Sequence, residues 1–129
     1  MKSDNKSFSL AWDTFDFHMC NLSDLEAENI ENLRQYKNIK KTLNPSQRYK
    51  IYLKKKLIKH FDKLINEYSK FIFAITDVTN HHRYRMSNGI SIPSEREIKI
   101  HYLDEIKNVT ATQLEQVKDW KTEVLEVLG

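Results

Sequence analysis

The strongest periodic pattern in the sequence lies between residues 45 and 75. Apolar residues recur there every three or four positions, which at about 100° per residue places them on one face of a helix. Pro45 and Gln47, after a possible cap at Asn44, are helix-start signals. The members of the apolar stripe are Leu53, Leu57, Phe61, Leu64, Ile65, Tyr68, Phe71, Ile72 and Ile75. The pattern predicts a long central helix over about 45–75, although the β-branched and aromatic residues of 71–76 also suit a strand.

Weaker helical patterns flank this central one. Ser23 with Glu26 forms a capping box before it, and Thr110 with Gln113 forms another after it. Apolar residues at helical spacing follow both boxes. The aromatic-rich residues 8–22 predict a short extended segment followed by one or two helical turns.

Residues 83–92 show alternation instead of helical spacing. Apolar and polar residues alternate on both sides of the Asn88-Gly89 pair. Asn-Gly between alternating apolar residues is the strongest short hairpin signal, so we predict a small β-hairpin near 83–92. Residues 96–102 fit either a short helix or a third strand, and the helix is favoured.

These patterns predict a mainly α fold, with three to five helices around the central one. The 129 residues suit a single domain, 1–129, with a modest core. Only two Gly and two Pro are present, which disfavours a β-sandwich or barrel because such folds need many turns. An α+β fold with a small antiparallel sheet is the alternative.

Composition excludes several classes of function. Two glycines are too few for a G-x-G-x-x-G loop, and Gly89 and Gly129 are too far apart for a phosphate-binding P-loop. The single cysteine, Cys20, cannot form an intramolecular disulfide, which favours a reducing compartment. No apolar run of about 18 residues and no signal-peptide pattern is found, so we expect an intracellular protein, cytoplasmic or nuclear, without a membrane partner.

Charge is distributed unevenly along the chain. The net charge is only +3, but residues 34–63 hold eleven Lys or Arg and a single acid, Asp62. The remainder carries ten basic and seventeen acidic residues, a net of −7. Such a polarity is typical of a nucleic-acid-binding surface, of contact with an acidic protein, or of a self-complementary homodimer.

A basic face is predicted on the central helix, opposite its apolar stripe. Lys and Arg at helical spacing neutralise phosphates or carboxylates, and an interleaved Tyr can stack on a base. The predicted hairpin arm would add cations and a tyrosine. The predicted binding residues are Arg48, Tyr52, Lys55, Lys56, Lys59, Lys63, Arg83, Tyr84 and Arg85. Because lysine contacts phosphate without reading bases, we expect weak sequence preference; a face of this kind can also be merely solvated.

Histidines and aspartate near the predicted hairpin form a weaker candidate, a metal site. Asp77 and His81 are four residues apart, His82 is adjacent, and a hairpin could bring His101 close. Zinc needs three or four converging ligands, and the sequence has no H-x-x-x-H or C-x-x-C pair. We therefore predict no metal and no cofactor.

A catalytic alternative comes from REIKIH, residues 96–101. Its R-x4-H spacing is similar to the signature of HEPN-domain ribonucleases, which are small α-helical domains that usually dimerise to build their site. The resemblance implies that His101 acts as acid or base and that Arg96 stabilises phosphate charge.

The leading interpretation is a small non-enzymatic binding or regulatory protein. It would engage nucleic acid or an acidic protein partner through the basic helical face. The alternatives are the HEPN-like ribonuclease and a structural homodimer or inhibitor subunit of a larger assembly. In a homodimer the basic face would meet the acidic C-terminal helix of a second chain.

Overall fold

The computed structural model describes residues 2–92, 96 and 100–129. Across these residues the chain forms no strand and the following three helices: α1 (Lys2–Lys41), α2 (Gln47–Ser87) and α3 (Leu103–Val127). The predicted mainly α fold is confirmed, and the alternative antiparallel sheet is not seen in this part of the chain. No helix formed by the described residues combines the length and the apolarity that a membrane crossing requires.

Helix α2 lies at the centre, and the other two helices pack antiparallel to it. The Phe15 and Phe71 rings of α1 and α2 are 5.1 Å apart between centroids, whereas Gln35 near the end of α1 meets Lys56 near the start of α2. On the other side, the ring centroids of Phe61 in α2 and Trp120 in α3 are 6.3 Å apart. The predicted central helix is therefore the element that both neighbours share.

One apolar core joins the three helices. Its largest fully buried side chains include Trp12 from α1, Phe61 from α2 and Val117 from α3. The predicted stripe of α2 faces this core, because its spacing keeps those side chains on one side of the helix. The strand alternative for residues 71–76 is wrong, since they continue α2.

Two local predictions within the range of α1 are wrong. The extended segment predicted within residues 8–22 is instead helical, and the capping box at Ser23 does not begin a helix. The Ser23 hydroxyl donates back to the Met19 carbonyl at 3.2 Å, as a serine in a helix interior does. Phe8, Trp12 and Phe15 are all buried, so one helical stripe runs through the whole segment.

Helix α2 begins two residues after the predicted start. Ser46 is its N-cap, and the Ser46 side chain accepts a hydrogen bond from the Tyr49 backbone N–H at 3.4 Å. Asn44, predicted as the cap, has a φ of 51° and turns the chain between α1 and α2. Pro45 therefore precedes the helix instead of occupying its first position.

The β-hairpin predicted near 83–92 is wrong, because residues 83–87 form the last turns of α2. Asn88 is the C-cap, and Gly89 follows it with a φ of 64°. The Ile90 N–H donates to the Arg85 carbonyl at 2.9 Å and the Gly89 N–H to the Met86 carbonyl at 3.3 Å. These two bonds define a Schellman motif, which needs the same positive φ from glycine that a hairpin turn needs.

Helix α3 begins seven residues before the predicted capping box. Thr110 is buried inside the helix, and its hydroxyl donates to the Ile106 carbonyl at 2.7 Å. For the ambiguous segment 96–102, Arg96 and Ile100 are helical and His101 and Tyr102 form a turn. The rest of that prediction falls on residues 97–99, which lie outside the described residues.

Candidate partner-binding site

The solvent-facing side of the first half of α2 carries a row of cations. Lys55, Lys59 and Lys63 are four residues apart, so they follow one line along the helix at intervals of about 6 Å. All three side chains are exposed. We call these three residues, together with Arg48 and Lys56 beside them, the lysine face.

Within the described residues, the lysine row has no direct ion pair with an acidic side chain. In the part of the chain that the structure describes, no carboxylate oxygen lies within 4.0 Å of the Nζ of Lys55, Lys59 or Lys63. Asp62, the acid embedded in the basic segment, instead binds Lys121 of α3 at 2.7 Å. The row is therefore exposed and has no direct carboxylate contact within the described residues.

Acidic side chains of α1 border one edge of the lysine face. Glu28 and Glu31 line a groove of about 350 Å³ together with Lys59 and Lys63. Lys56, at the same edge, donates to Gln35 Oε1 at 3.1 Å. The positive potential is thus moderated on the α1 side of α2.

His60 lies beneath that edge and is buried. Its Nε2 is 3.2 Å from Asn29 Oδ1, and its Nδ1 is 3.6 Å from Glu28 Oε2. Burial lowers the pKa of His60, and the ammonium groups of Lys63 and Lys56 act in the same direction, against the Glu28 carboxylate. The neutral imidazole is therefore the form that the folded chain favours.

A wider groove, of about 750 Å³, runs along the opposite edge of the lysine face. It lies between α2 and the C-terminal end of α3. Ile51 is 48% exposed and Leu125 is 44% exposed, so the floor is open to solvent and apolar. The floor residues are Ile51, Ile58, Leu125 and Leu128, and the charged residues along the rim are Lys54, Lys55, Lys59, Lys63 and the Lys121-paired Asp62.

Ile51 and Lys54 are site residues that the sequence prediction missed. Ile51 and Ile58 are seven residues apart, which is two helical turns, and they lie beside the main stripe of α2 instead of within it. That second short apolar row is the signal in the sequence. Leu125 and Leu128 belong to the apolar spacing that follows the Thr110–Gln113 capping box and predicts a core face; Leu128 is buried, whereas Leu125 is 44% exposed.

Two tyrosines stand near the beginning of α2. Tyr52, a predicted site residue, is 59% exposed, and its ring centroid is 6.4 Å from that of Tyr49. On the helix, Tyr52 lies along the same side as Lys55, Lys59 and Lys63. An aromatic ring is thus available close to the cations.

The remaining predicted binding residues lie at the other end of α2. Arg83 and Tyr84 are exposed, but they are about 30 Å from Lys63 along the helix. Arg85 is only 5% exposed, its guanidinium lies 4.5 Å from the centroid of the Phe8 ring, and its Nη1 donates to the Ser91 carbonyl at 2.6 Å. Arg85 is therefore packed within the fold and does not belong to the exposed lysine face.

The two residues of the ribonuclease alternative have different surroundings. The Arg96 guanidinium lies 4.7 Å from the centroid of the Trp12 ring, and its Nη1 is 3.5 Å from Asp16 Oδ2. His101 is exposed in the turn before α3. Arg96 is thus packed against α1.

Of the metal candidate's four residues, Asp77 and His81 lie close to each other. Among the described residues, no group of three His, Cys, Asp or Glu side chains is arranged to hold a metal ion. His81 Nε2 is 3.6 Å from Asp77 Oδ1, and the His81 ring packs near Phe8.

Comparisons of the chain with protein-family models, with curated proteins and with solved structures found no match. The surface of α2 is therefore the basis for assigning a function.

Proposed function

We propose that this chain is a non-enzymatic binding protein that engages an acidic protein partner through the lysine face and the adjacent groove. The observation that carries the proposal is the combination of three aligned lysines, without carboxylate partners in the described part of the chain, with an exposed apolar floor. Protein interfaces have this organisation, with an apolar centre and a polar rim. The rim charges would speed encounter and select a partner of opposite sign.

The apolar floor argues against the alternative that the lysine face is only solvated and binds nothing. Single exposed apolar residues are common on protein surfaces and need no explanation. Ile51 and Leu125, however, come from two different helices and line the same groove. Burying both against a partner removes apolar surface from water, which stabilises a complex independently of charge.

Nucleic acid is a second candidate partner, and exposed Tyr52 is the observation that favours it. A tyrosine among lysines can stack on a base while the lysines contact phosphates. This mode would use the lysine face but not the apolar groove. We do not extend the proposal to a ribonuclease, because Arg96 is held by Asp16 and Trp12.

The test compares wild-type protein with Lys55→Glu/Lys59→Glu/Lys63→Glu. Fluorescence anisotropy would measure binding of labelled polyglutamate, mixed-sequence duplex DNA and single-stranded DNA at 50 and 200 mM salt. We expect polyglutamate to bind the wild type at low salt, to bind about 100-fold more weakly at high salt, and not to bind the triple variant.

A matched control reverses three exposed lysines elsewhere, in Lys6→Glu/Lys37→Glu/Lys118→Glu. It has the same net charge, so retained binding would show that position matters and not only charge. Salt-sensitive binding of DNA, but not of polyglutamate, would replace the acidic protein with nucleic acid as the partner. If the wild type binds no probe at 50 mM salt, the proposed function is wrong.

A further inference from the structure

We infer that the groove beside the lysine face receives an amphipathic α-helix of the partner, with apolar residues on its floor and carboxylates along its lysine rim. This inference rests on the proposed function and specifies the form of the partner. Three features of the groove support a helix: its length, the spacing of its lysines and the exposure of its floor.

The length of the groove suits a helix. Its α2 wall extends from Gln47 to Asn66, which is about 28 Å along the helix axis. Ile51 and Ile58 on the floor are about 10.5 Å apart along that axis, the distance between apolar residues seven positions apart on any α-helix. A partner helix lying along α2 can therefore meet both with one apolar stripe.

The spacing of the cations suits the same occupant. Lys55, Lys59 and Lys63 recur at intervals of about 6 Å, and carboxylates four residues apart on a partner helix recur at the same interval. A ligand with one terminal carboxylate, such as a fatty acid, would satisfy only one of these lysines. A nucleic-acid strand repeats its charge but has no apolar stripe for Ile51 and Leu125. The helix is the occupant that matches both features.

The probe for this inference is a synthetic 18-residue peptide with capped ends. On one side of the helix it carries Leu at positions i, i+3 and i+7. On the adjoining side it carries Glu at positions j, j+4 and j+8. A second peptide has the same composition in an order that destroys both spacings. We expect the wild type to bind the amphipathic peptide at least 10-fold more tightly, with a gain in helical circular dichroism. Hydrogen exchange should slow in residues 47–66 of α2 and at the end of α3.

The floor is tested with Ile51→Ser/Leu125→Ser, and the matched control is Phe73→Ser/Met86→Ser, at two exposed apolar residues of α2 outside the groove. We expect the floor variant to lose at least 10-fold in affinity for the amphipathic peptide and to retain its polyglutamate binding. The control should bind both probes as the wild type does. Unchanged circular dichroism and melting temperature would show that both variants fold.

The outcomes separate the inference from the proposed function. If polyglutamate binds but the two peptides bind equally and the floor variant changes nothing, the helix inference is overturned and the proposed function stands. If no acidic probe binds, both fail together. If light scattering shows a wild-type dimer that the floor variant dissociates, the groove is occupied by a second copy of this chain, which overturns a separate partner helix.

Discussion

Two groups of charged residues on α2, one in each half of the helix, have opposite surroundings. In the second half, Glu67 is 8% exposed and lies 2.5 Å from His18 Nδ1, and buried Arg85 donates to a backbone carbonyl. In the first half, Lys55, Lys59 and Lys63 are exposed and have no acidic partner in the described part of the chain. A buried charge is tolerated only when it is paired and hydrogen-bonded, so Glu67 and Arg85 contribute to the fold. The first-half lysines make no such contact within the described residues, so we expect their replacement to cost little stability.

The largest expected difference in stability is between the loss of Arg85 and the loss of Lys59. Arg85→Ala removes a buried guanidinium that packs on Phe8 and binds Ser91, so we expect a loss of about 3 kcal/mol in the free energy of unfolding. Lys59→Ala, on the exposed face, should change it by less than about 0.5 kcal/mol. Urea unfolding followed by circular dichroism measures both. Equal effects would show that the contrast between the halves does not extend to stability.

A smaller difference in stability is expected between the loss of Glu67 and the loss of Asp62. Glu67→Ala leaves His18 and Asn21 without their shared partner in a half-buried interface, and we expect a loss of about 2 kcal/mol. Asp62→Ala breaks an exposed pair with Lys121, which is worth at most about 1 kcal/mol. The same urea titrations, repeated in 0.5 M NaCl, should reduce the effect of Asp62→Ala and leave that of Glu67→Ala nearly unchanged. A strong salt effect at Glu67 would contradict its assignment as a buried pair.

The smallest effect concerns His60, a buried ionisable group in the same half of α2 as the exposed lysines. Its pKa is lowered in the folded chain, so below the usual value of 6.5 the unfolded chain binds the proton more readily. Stability should therefore fall as the pH decreases through 6.5, and the loss should end near the lowered pKa. Comparing the melting temperatures of wild type and His60→Gln between pH 7.5 and pH 5 isolates this contribution. If the difference between the two proteins does not change with pH, the protonated imidazole is tolerated at this position.

Sequence patterns predict the core of α2 well and its ends poorly. Leu53, Leu57 and Phe61 are buried as predicted, because helical periodicity directly encodes which side faces the core. The end of α2 was missed because Asn88-Gly89 provides a positive φ that serves a hairpin or a Schellman motif equally well. Packing of the last turns against α1 decides between them, and that packing is not visible in a local pattern.

The candidate site also has one part that the sequence predicts and one part that it does not. The exposed lysine row follows from its position opposite the apolar stripe, so the sequence predicts it. The groove needs Leu125, more than sixty residues beyond Lys63, and only the folded arrangement of α2 and α3 brings that side chain near. The burial of Arg85 likewise depends on Phe8 at the far end of the chain.

The length of α1 and α2 has a consequence for how the molecule behaves in solution. Two helices of 40 and 41 residues, side by side, span about 60 Å, whereas a compact chain of 129 residues would be roughly 36 Å across. The accessible surface of 8699 Å² exceeds by about a fifth what a compact monomer of this mass exposes. The protein should therefore tumble as a short rod, with rotation about the long axis faster than end-over-end rotation. In small-angle scattering its largest interatomic distance should be near the length of α2.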